Sequence, residues 1–234
     1  MSTGGANEQA RASWIRQQLK SLPKDARLLD AGAGEQQYRD ACAHLRYVSQ
    51  DFAQYKPENV PSGLQMEKWE YPPLDITSDI TSIPEPDASF DAVLCTEVLE
   101  HVPDAVAALN ELARLIKPGG TLIVTAPFCS LTHFAPYHYS TGFNPYFYEF
   151  HLGRLGFEIE ELSHNGNYFS WLEQELRRLP SVAKRYTGNE PGRLEYRTIN
   201  AVIRKLQQYA ETGKASTELL SFGCHVRARK KSKP

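Results

Sequence analysis

An α/β fold with a mostly parallel sheet and helices on both faces is the architecture this sequence predicts. Three observations carry it. Leu28-Leu29-Asp30-Ala31-Gly32-Ala33-Gly34 reads as a buried strand that stops in a glycine-rich turn. Phe90 to Cys95 has the continuous apolar character of a parallel strand covered on both faces. Around these two, strand-like and helix-like segments alternate along the chain, as βα units require.

The elements follow in order. Glu8 to Leu22 carries Trp14, Ile15 and Leu19 at helical spacing, and Pro23 ends the run. Arg27 to Ala31 is the first strand. Glu35 to Leu45 is expected to be a helix, with Tyr38, Cys42 and Leu45 on one face. Arg46 to Asp51 is a second strand that ends on an acid. Phe52 to Pro73 holds four prolines and shows no period, so it reads mainly as a loop. Leu74 to Ile76 is a third strand and Phe90 to Cys95 a fourth. In Asp104 to Ile116, Val106, Leu109, Leu112, Ala113 and Ile116 recur every three or four residues, and Asp104 suits the N-terminal end of a helix. Pro118-Gly119-Gly120 stops that helix, and Thr121 to Ala126 is a fifth strand. Pro145 to Leu155 reads as a helix, Phe157 to Leu162 as a strand, and Tyr168 to Leu179 and Leu194 to Ala210 as two more helices. Leu219 to Ala228 is the last strand. No internal repeat is visible. The chain is therefore expected to be a single domain over 1–234, with a helical insertion at 165–218 packed on the sheet.

Composition narrows the function classes. A net charge of −2 gives no electrostatic reason to expect a nucleic-acid partner. Cys42, Cys95, Cys129 and Cys224 are far apart and form no CxxC pair. Small core residues in a reducing compartment are the better reading, which favours the cytoplasm. No apolar run approaches the roughly 20 residues of a membrane helix. Met1 to Ala10 is polar and lacks an apolar signal core. The basic tail, Arg227 to Lys233, reads as a solubilising end.

The chemistry sits at the strand ends, where an open parallel sheet binds its ligands. Asp30, Gly32 and Gly34 follow the first strand. A carboxylate beside a glycine turn repels a pyrophosphate but suits a ligand with a positively charged end. S-adenosylmethionine (SAM), with its ammonium and sulfonium, is such a ligand. Asp51 follows the second strand, placed to accept from both ribose hydroxyls. Asp79 follows the third and is suited to an adenine amino group, with Ile80 against the ring. Cys95-Thr96-Glu97 ends the fourth, and Pro127-Phe128 ends the fifth. The nicotinamide fingerprint G-x-G-x-x-G fails, because its third position here is Gln37. Each acid also has a plain structural role open to it: Asp51 could end a strand, and Asp79 could cap a turn with Thr81. No metal is expected, since Asp75, Asp79, Glu97 and Glu100 show no recognisable ligand spacing.

These stretches, together with Ser89 to Val102 (which holds Val98-Leu99-Glu100-His101-Val102) and Leu115 to Gly120, resemble the class I SAM-dependent methyltransferases. The likeness is to the group of small bacterial enzymes with a V-L-E-H-V segment. It covers roughly residues 25 to 162 and Leu219 to Lys230. It implies a seven-stranded Rossmann-like sheet whose last strand is antiparallel. It also implies cofactor roles for Asp30, Gly32, Gly34, Asp51, Asp79, Ile80 and Thr96. Many relatives carry glycine where this chain has Gln36, so a cofactor contact there is not carried over. His101 lies near the active site in this group, in a structural or a catalytic role.

The acceptor side is expected after the fifth strand. Thr132 to Tyr139 offers His133 and His138 as candidate bases, with Tyr137 or Tyr139 to orient an acceptor. Phe134, Tyr137, Tyr139, Phe143, Tyr146, Phe147, Tyr148 and Phe150 make a dense aromatic run, most of it packing rings, some of it able to stack on a sugar or enclose an apolar ring. Methylation of a small molecule or glycan follows, at a sugar oxygen by preference. Carbon or nitrogen methylation of a quinone-like ring and an idle SAM-binding protein are the alternatives. A homodimer is left open.

Overall fold

The computed structural model describes residues 5–57, 63–64 and 68–232. Parts of the polar N-terminus, of the loop after the second strand and of the basic tail therefore lie outside the described residues. The chain divides into two compact units. One comprises residues 12–163 and 223–234, the other residues 1–11 and 164–222.

The larger unit is built on the sheet. Its strands are β1 (Arg27–Ala31), β2 (Arg46–Asp51), β3 (Ile76–Thr77), β4 (Phe90–Thr96), β5 (Ile116–Pro127), β6 (Phe157–Asn165) and β7 (Gly223–Lys230), in the order β3-β2-β1-β4-β5-β7-β6. Strands β3, β2, β1, β4 and β5 run parallel, and β7 runs antiparallel to β5, with Thr121 opposite Arg229 and Pro127 opposite Gly223. The seven-stranded, mostly parallel sheet with one antiparallel strand is thus present.

Strand alternation sends successive side chains to opposite faces. Leu28, Ala92, Leu94 and Ile123 pack with Ile15 and Leu19 of helix α1 (Gly5–Lys20) and with Tyr38 and Cys42. Leu29, Ala31, Val93, Cys95, Leu122 and Val124 pack with Leu109 and Leu112 of α2 (Ala105–Leu115) and with Tyr148 and Leu152 of α3 (Pro145–Arg154). Asp104 caps α2 by accepting from the Ala107 amide at 2.8 Å, as its place before the apolar period predicts.

The third strand shifts from Leu74–Ile76 to Ile76–Thr77, and the helix expected to end at Leu179 runs on through Pro180 to Thr187. Three further expectations change. Residues 35–45 form turns and a short 3-10 segment, Arg39–Cys42, rather than a helix. Gln36 takes a φ of 56°, a left-handed geometry that breaks an α-helical start. Tyr38 and Cys42 still reach the core, so the apolar spacing reported a buried face correctly while the backbone type differs. The fifth strand begins at Ile116, five residues early, because the chain leaves α2 directly into extended backbone and absorbs Pro118-Gly119-Gly120 as an irregularity of register. The last strand starts at Gly223 rather than at Leu219; residues 219–222 are turn and irregular backbone.

The smaller unit carries α4 (Tyr168–Thr187) and α5 (Arg193–Thr212). They run antiparallel: Gln207 donates to Glu173 at 2.9 Å, and Asn167 donates to the Ala210 carbonyl at 2.9 Å. Asn167 also caps α4 by accepting from the Ser170 amide. The expected insertion at 165–218 lies within this unit. No helix among the described residues is long and apolar enough to cross a membrane.

Candidate active site

The carboxyl ends of β1 and β2 form one hydrogen-bonded floor. Gly32 and Gly34 take φ of 75° and 50°. The amides of Gly32 and Ala33 both donate to the Gln50 carbonyl, at 2.9 and 2.8 Å. The Gly34 amide donates to Asp51 Oδ2 at 3.0 Å, and the Ala53 amide donates to Asp51 Oδ1 at 2.8 Å. Two backbone donors therefore hold the Asp51 carboxylate in place, and each oxygen keeps a second lone pair for another donor. The glycines are required sterically as well. A Cβ on Gly32 would stand 2.4 Å from Val98 Cγ2, and one on Gly34 would stand 2.7 Å from Trp69 Cζ2.

Asp30 is buried, and its Oδ2 accepts from the Tyr47 hydroxyl at 2.7 Å. Burial pushes its carboxyl up to about 6, against the Tyr47 hydrogen bond, and the nearby Asp51 charge adds to the rise. Burial also raises Asp51, opposed by the amides that bind it. Two acids held against their preference at adjoining strand ends favour a ligand that brings donors or positive charge to them. That is the test a SAM site must pass, and this donor set fits it: Asp51 for ribose hydroxyls, Asp30 for the cationic end.

The remaining cofactor-side residues divide. Ile80 is buried at the end of β3. Asp79 is exposed and accepts from the Thr81 amide and hydroxyl at 2.8 and 2.7 Å, so it caps the turn that the sequence offers as its alternative role. Thr96 ends β4, and Glu97 beside it takes a φ of 52° while accepting from Thr125 Oγ1 at 2.9 Å. Gln36 donates to the Pro73 carbonyl at 2.9 Å and so ties the glycine turn to the loop after β2.

On the acceptor side the structure gathers three histidines from two loops. The ring of His101, in the short 3-10 turn Leu99–His101 after β4, lies 4.7 Å from His133 and 6.0 Å from His138, and the latter two are 4.9 Å apart. His101 Nδ1 meets the Tyr137 carbonyl, and His133 Nδ1 meets the Leu131 carbonyl at 2.8 Å. A carbonyl only accepts, so Nδ1 carries the proton in both rings and Nε2 keeps its lone pair. Burial and the neighbouring His133 push His101 down to about 3. Burial and His133 also lower His138, which pairs with Ser130 Oγ at 3.2 Å. Tyr139 is exposed, and its amide donates to the Glu100 carbonyl at 2.9 Å. Glu100, His101 and His133 bring one ligand atom each within 4.8 Å of one another, so a cation could be held there.

The part that sequence reasoning missed is the loop after β2. Tyr55 stacks on Phe134 at 4.3 Å, Trp69 meets Phe134 and Tyr55 edge-on at 5.0 and 5.8 Å, and Phe52 meets Tyr137 at 4.9 Å. Leu64 pairs with His133 in a single parallel bridge. The loops after β2 and β5 thus clasp above the glycine turn. The signal was a concentration of aromatics within 52–73, in a stretch that has no period to flag it.

Comparison with known proteins agrees with this geometry. Residues 29–124 match the family described as "Methyltransferase domain". A ubiquinone biosynthesis O-methyltransferase of Xanthomonas axonopodis pv. citri (strain 306) is 34% identical over 113 residues, 44% of each chain. The protein of that name from Xanthomonas campestris pv. campestris (strain B100) is 56% identical over 41 residues, 18% of this chain and 17% of its own. This chain thus spans less than half the length of the curated relatives it matches. Among solved structures, a SAM-dependent methyltransferase from Archaeoglobus fulgidus aligns with a TM-score of 0.56 at 16% identity, covering 96% of this chain and 94% of its own. The [4+2]-cyclase SpnF aligns with a TM-score of 0.56 at 20% identity, covering 95% and 81%. These two likenesses speak to the fold. Over residues 29–124 the chain is therefore similar to the methyltransferase domain family, and its fold is that of SAM-dependent methyltransferases of known structure.

Proposed function

We propose that this protein transfers the methyl group of SAM to a hydroxyl oxygen of a small-molecule or glycan acceptor. The observation that carries the reading is the cluster of His101, His133 and His138 beside the strand ends that would hold the cofactor. Bound SAM supplies an electrophilic methyl group. The protein's task is alignment of the acceptor, and removal of its proton if the acceptor is a hydroxyl. A lone pair at His133 Nε2 suits that removal, with His138 as the second candidate. His101, held down to about 3 by burial, is too weak a base for the step and instead positions the loop that carries Tyr137.

The aromatic lining suits the face of a sugar or a phenolic ring. A sugar hydroxyl is the first reading. A phenol is the second, favoured by the O-methyltransferase relatives named above. The buried free thiols of Cys42, Cys95 and Cys224 support a reducing, cytoplasmic setting.

Radiolabelled SAM incubated with panels of sugars, nucleotide sugars, phenols and amines tests the assignment. Label should appear in a base-stable ether of a hydroxyl acceptor, and label only on carbon or nitrogen would overturn it. His133→Ala or His138→Ala should lower kcat by about 100-fold or more. Unchanged turnover in both removes the histidine base. Turnover is expected to survive EDTA; a loss restored by added divalent cation would reassign Glu100, His101 and His133 as metal ligands.

A further inference from the structure

The smaller unit presents a basic, apolar-tipped hairpin, and we infer that its closed end docks on an anionic lipid surface. Residues 168–212 hold eight basic and five acidic side chains, in a chain whose net charge is −2. The hairpin is therefore a positive region on a negative protein. Its cations are not equivalent. Arg177, Arg178 and Lys184 pair with Glu173, Glu175 and Glu190. Arg193, Arg197 and Arg204 are exposed and take part in no ion pair among the described residues. Their spacing of four and seven places them on one face of α5, turned away from the buried Ile203 and Leu206.

The closed end adds apolar surface to that charge. Tyr186, in the last turn of α4, is 67% exposed, and Leu194, in the first turn of α5, is 75% exposed. The Arg185 guanidinium lies 5.3 Å from the Tyr186 ring centroid. A tyrosine and a leucine standing outward among arginines is the pairing that an interfacial lipid contact uses. The rings and chains enter the headgroup boundary while the guanidinium groups meet phosphates. A second copy of this chain is the poorer partner, because a symmetric contact would set one arginine row against another.

Vesicle co-sedimentation of the full chain tests the inference. Binding is expected to vesicles of phosphatidylglycerol mixed with phosphatidylcholine, and not to phosphatidylcholine alone, and high salt should release it. Each basic residue near such a surface is worth about fivefold in binding, so Arg193→Glu with Arg197→Glu should weaken it by more than about tenfold. Tyr186→Ser with Leu194→Ser should also weaken it, with unchanged far-ultraviolet circular dichroism confirming that both variants fold. Failure of the wild type to sediment with anionic vesicles overturns the proposal, as does equal binding by the folded variants. A dimer in gel filtration that the same variants dissolve would show that the face binds a second copy, and so would also overturn it.

Discussion

Asp30 shows how a residue proposed to bind the cofactor can oppose the stability of the fold that carries it. Its carboxyl is raised to about 6, from an ordinary value near 4, chiefly by burial. Between those two values the folded state binds the proton more tightly than the unfolded chain does. Stability contributed by this group is therefore lost as pH rises from about 4 to 6, and it stays lost at neutral pH. Asp30→Asn keeps an oxygen for the Tyr47 hydroxyl and removes the charge. The variant should unfold at a higher temperature than wild type at pH 7.5, by a margin on the order of 1–3 kcal/mol, and the margin should shrink towards pH 4. Calorimetric SAM binding should be lost at the same time. A variant no more stable at pH 7.5 would show that the carboxylate is compensated in the fold. Asp30 stands out in the sequence because a carboxylate at the end of an apolar strand is costly to bury. Asp79 carried two readings in the sequence, an adenine acceptor and a turn with Thr81, and the structure shows the turn.

At the level of elements, the regular parts were readable and the clasp was not. β1, β2 and α2 stand within a residue of their expected bounds, because continuous apolar character and a 3.6-residue period are local signals. The turn after β1 shows the limit of such signals. Tyr38 and Cys42 keep a helix-like spacing, yet the left-handed Gln36 prevents a helix, and its side-chain amide donates to the Pro73 carbonyl. The loops after β2 and β5 are long-range partners, and long-range ring contacts leave no periodicity. Trp69 is the centre of that clasp, in contact with the Gly34 backbone and with Tyr55, Phe134 and Tyr71. Trp69→Ala removes three ring contacts over the cofactor floor. It should weaken SAM binding about tenfold, while Trp69→Phe, which keeps a ring, should lose far less. Equal affinity in Trp69→Ala would mean that the loop after β2 does not cover the bound cofactor.

Across the whole molecule, burial is unevenly shared between the two units, and stability should follow it. The sheet unit holds the large buried side chains: Phe90, Leu28, Leu29, Leu94, Leu112 and Tyr148 are all sealed from solvent. In the smaller unit α4 has no buried residue, and α5 has only Ile203 and Leu206. Both helices are held mainly by half-buried contacts and by surface ion pairs, which contribute little. The sequence reported two helices here but carried no measure of how much surface they bury. Local opening is therefore expected to begin at the hairpin's closed end, where Thr187, Gly188, Asn189, Glu190 and Gly192 are exposed. Under native conditions trypsin should cut first after Lys184, Arg185 or Arg193. The fragments carrying Arg27–Asp51 and Phe90–Pro127 should stay intact long after those cuts, as mass spectrometry of timed digests would show. First cuts after Arg46 or Arg114 would reverse the order of stability and make the hairpin the firmer of the two units.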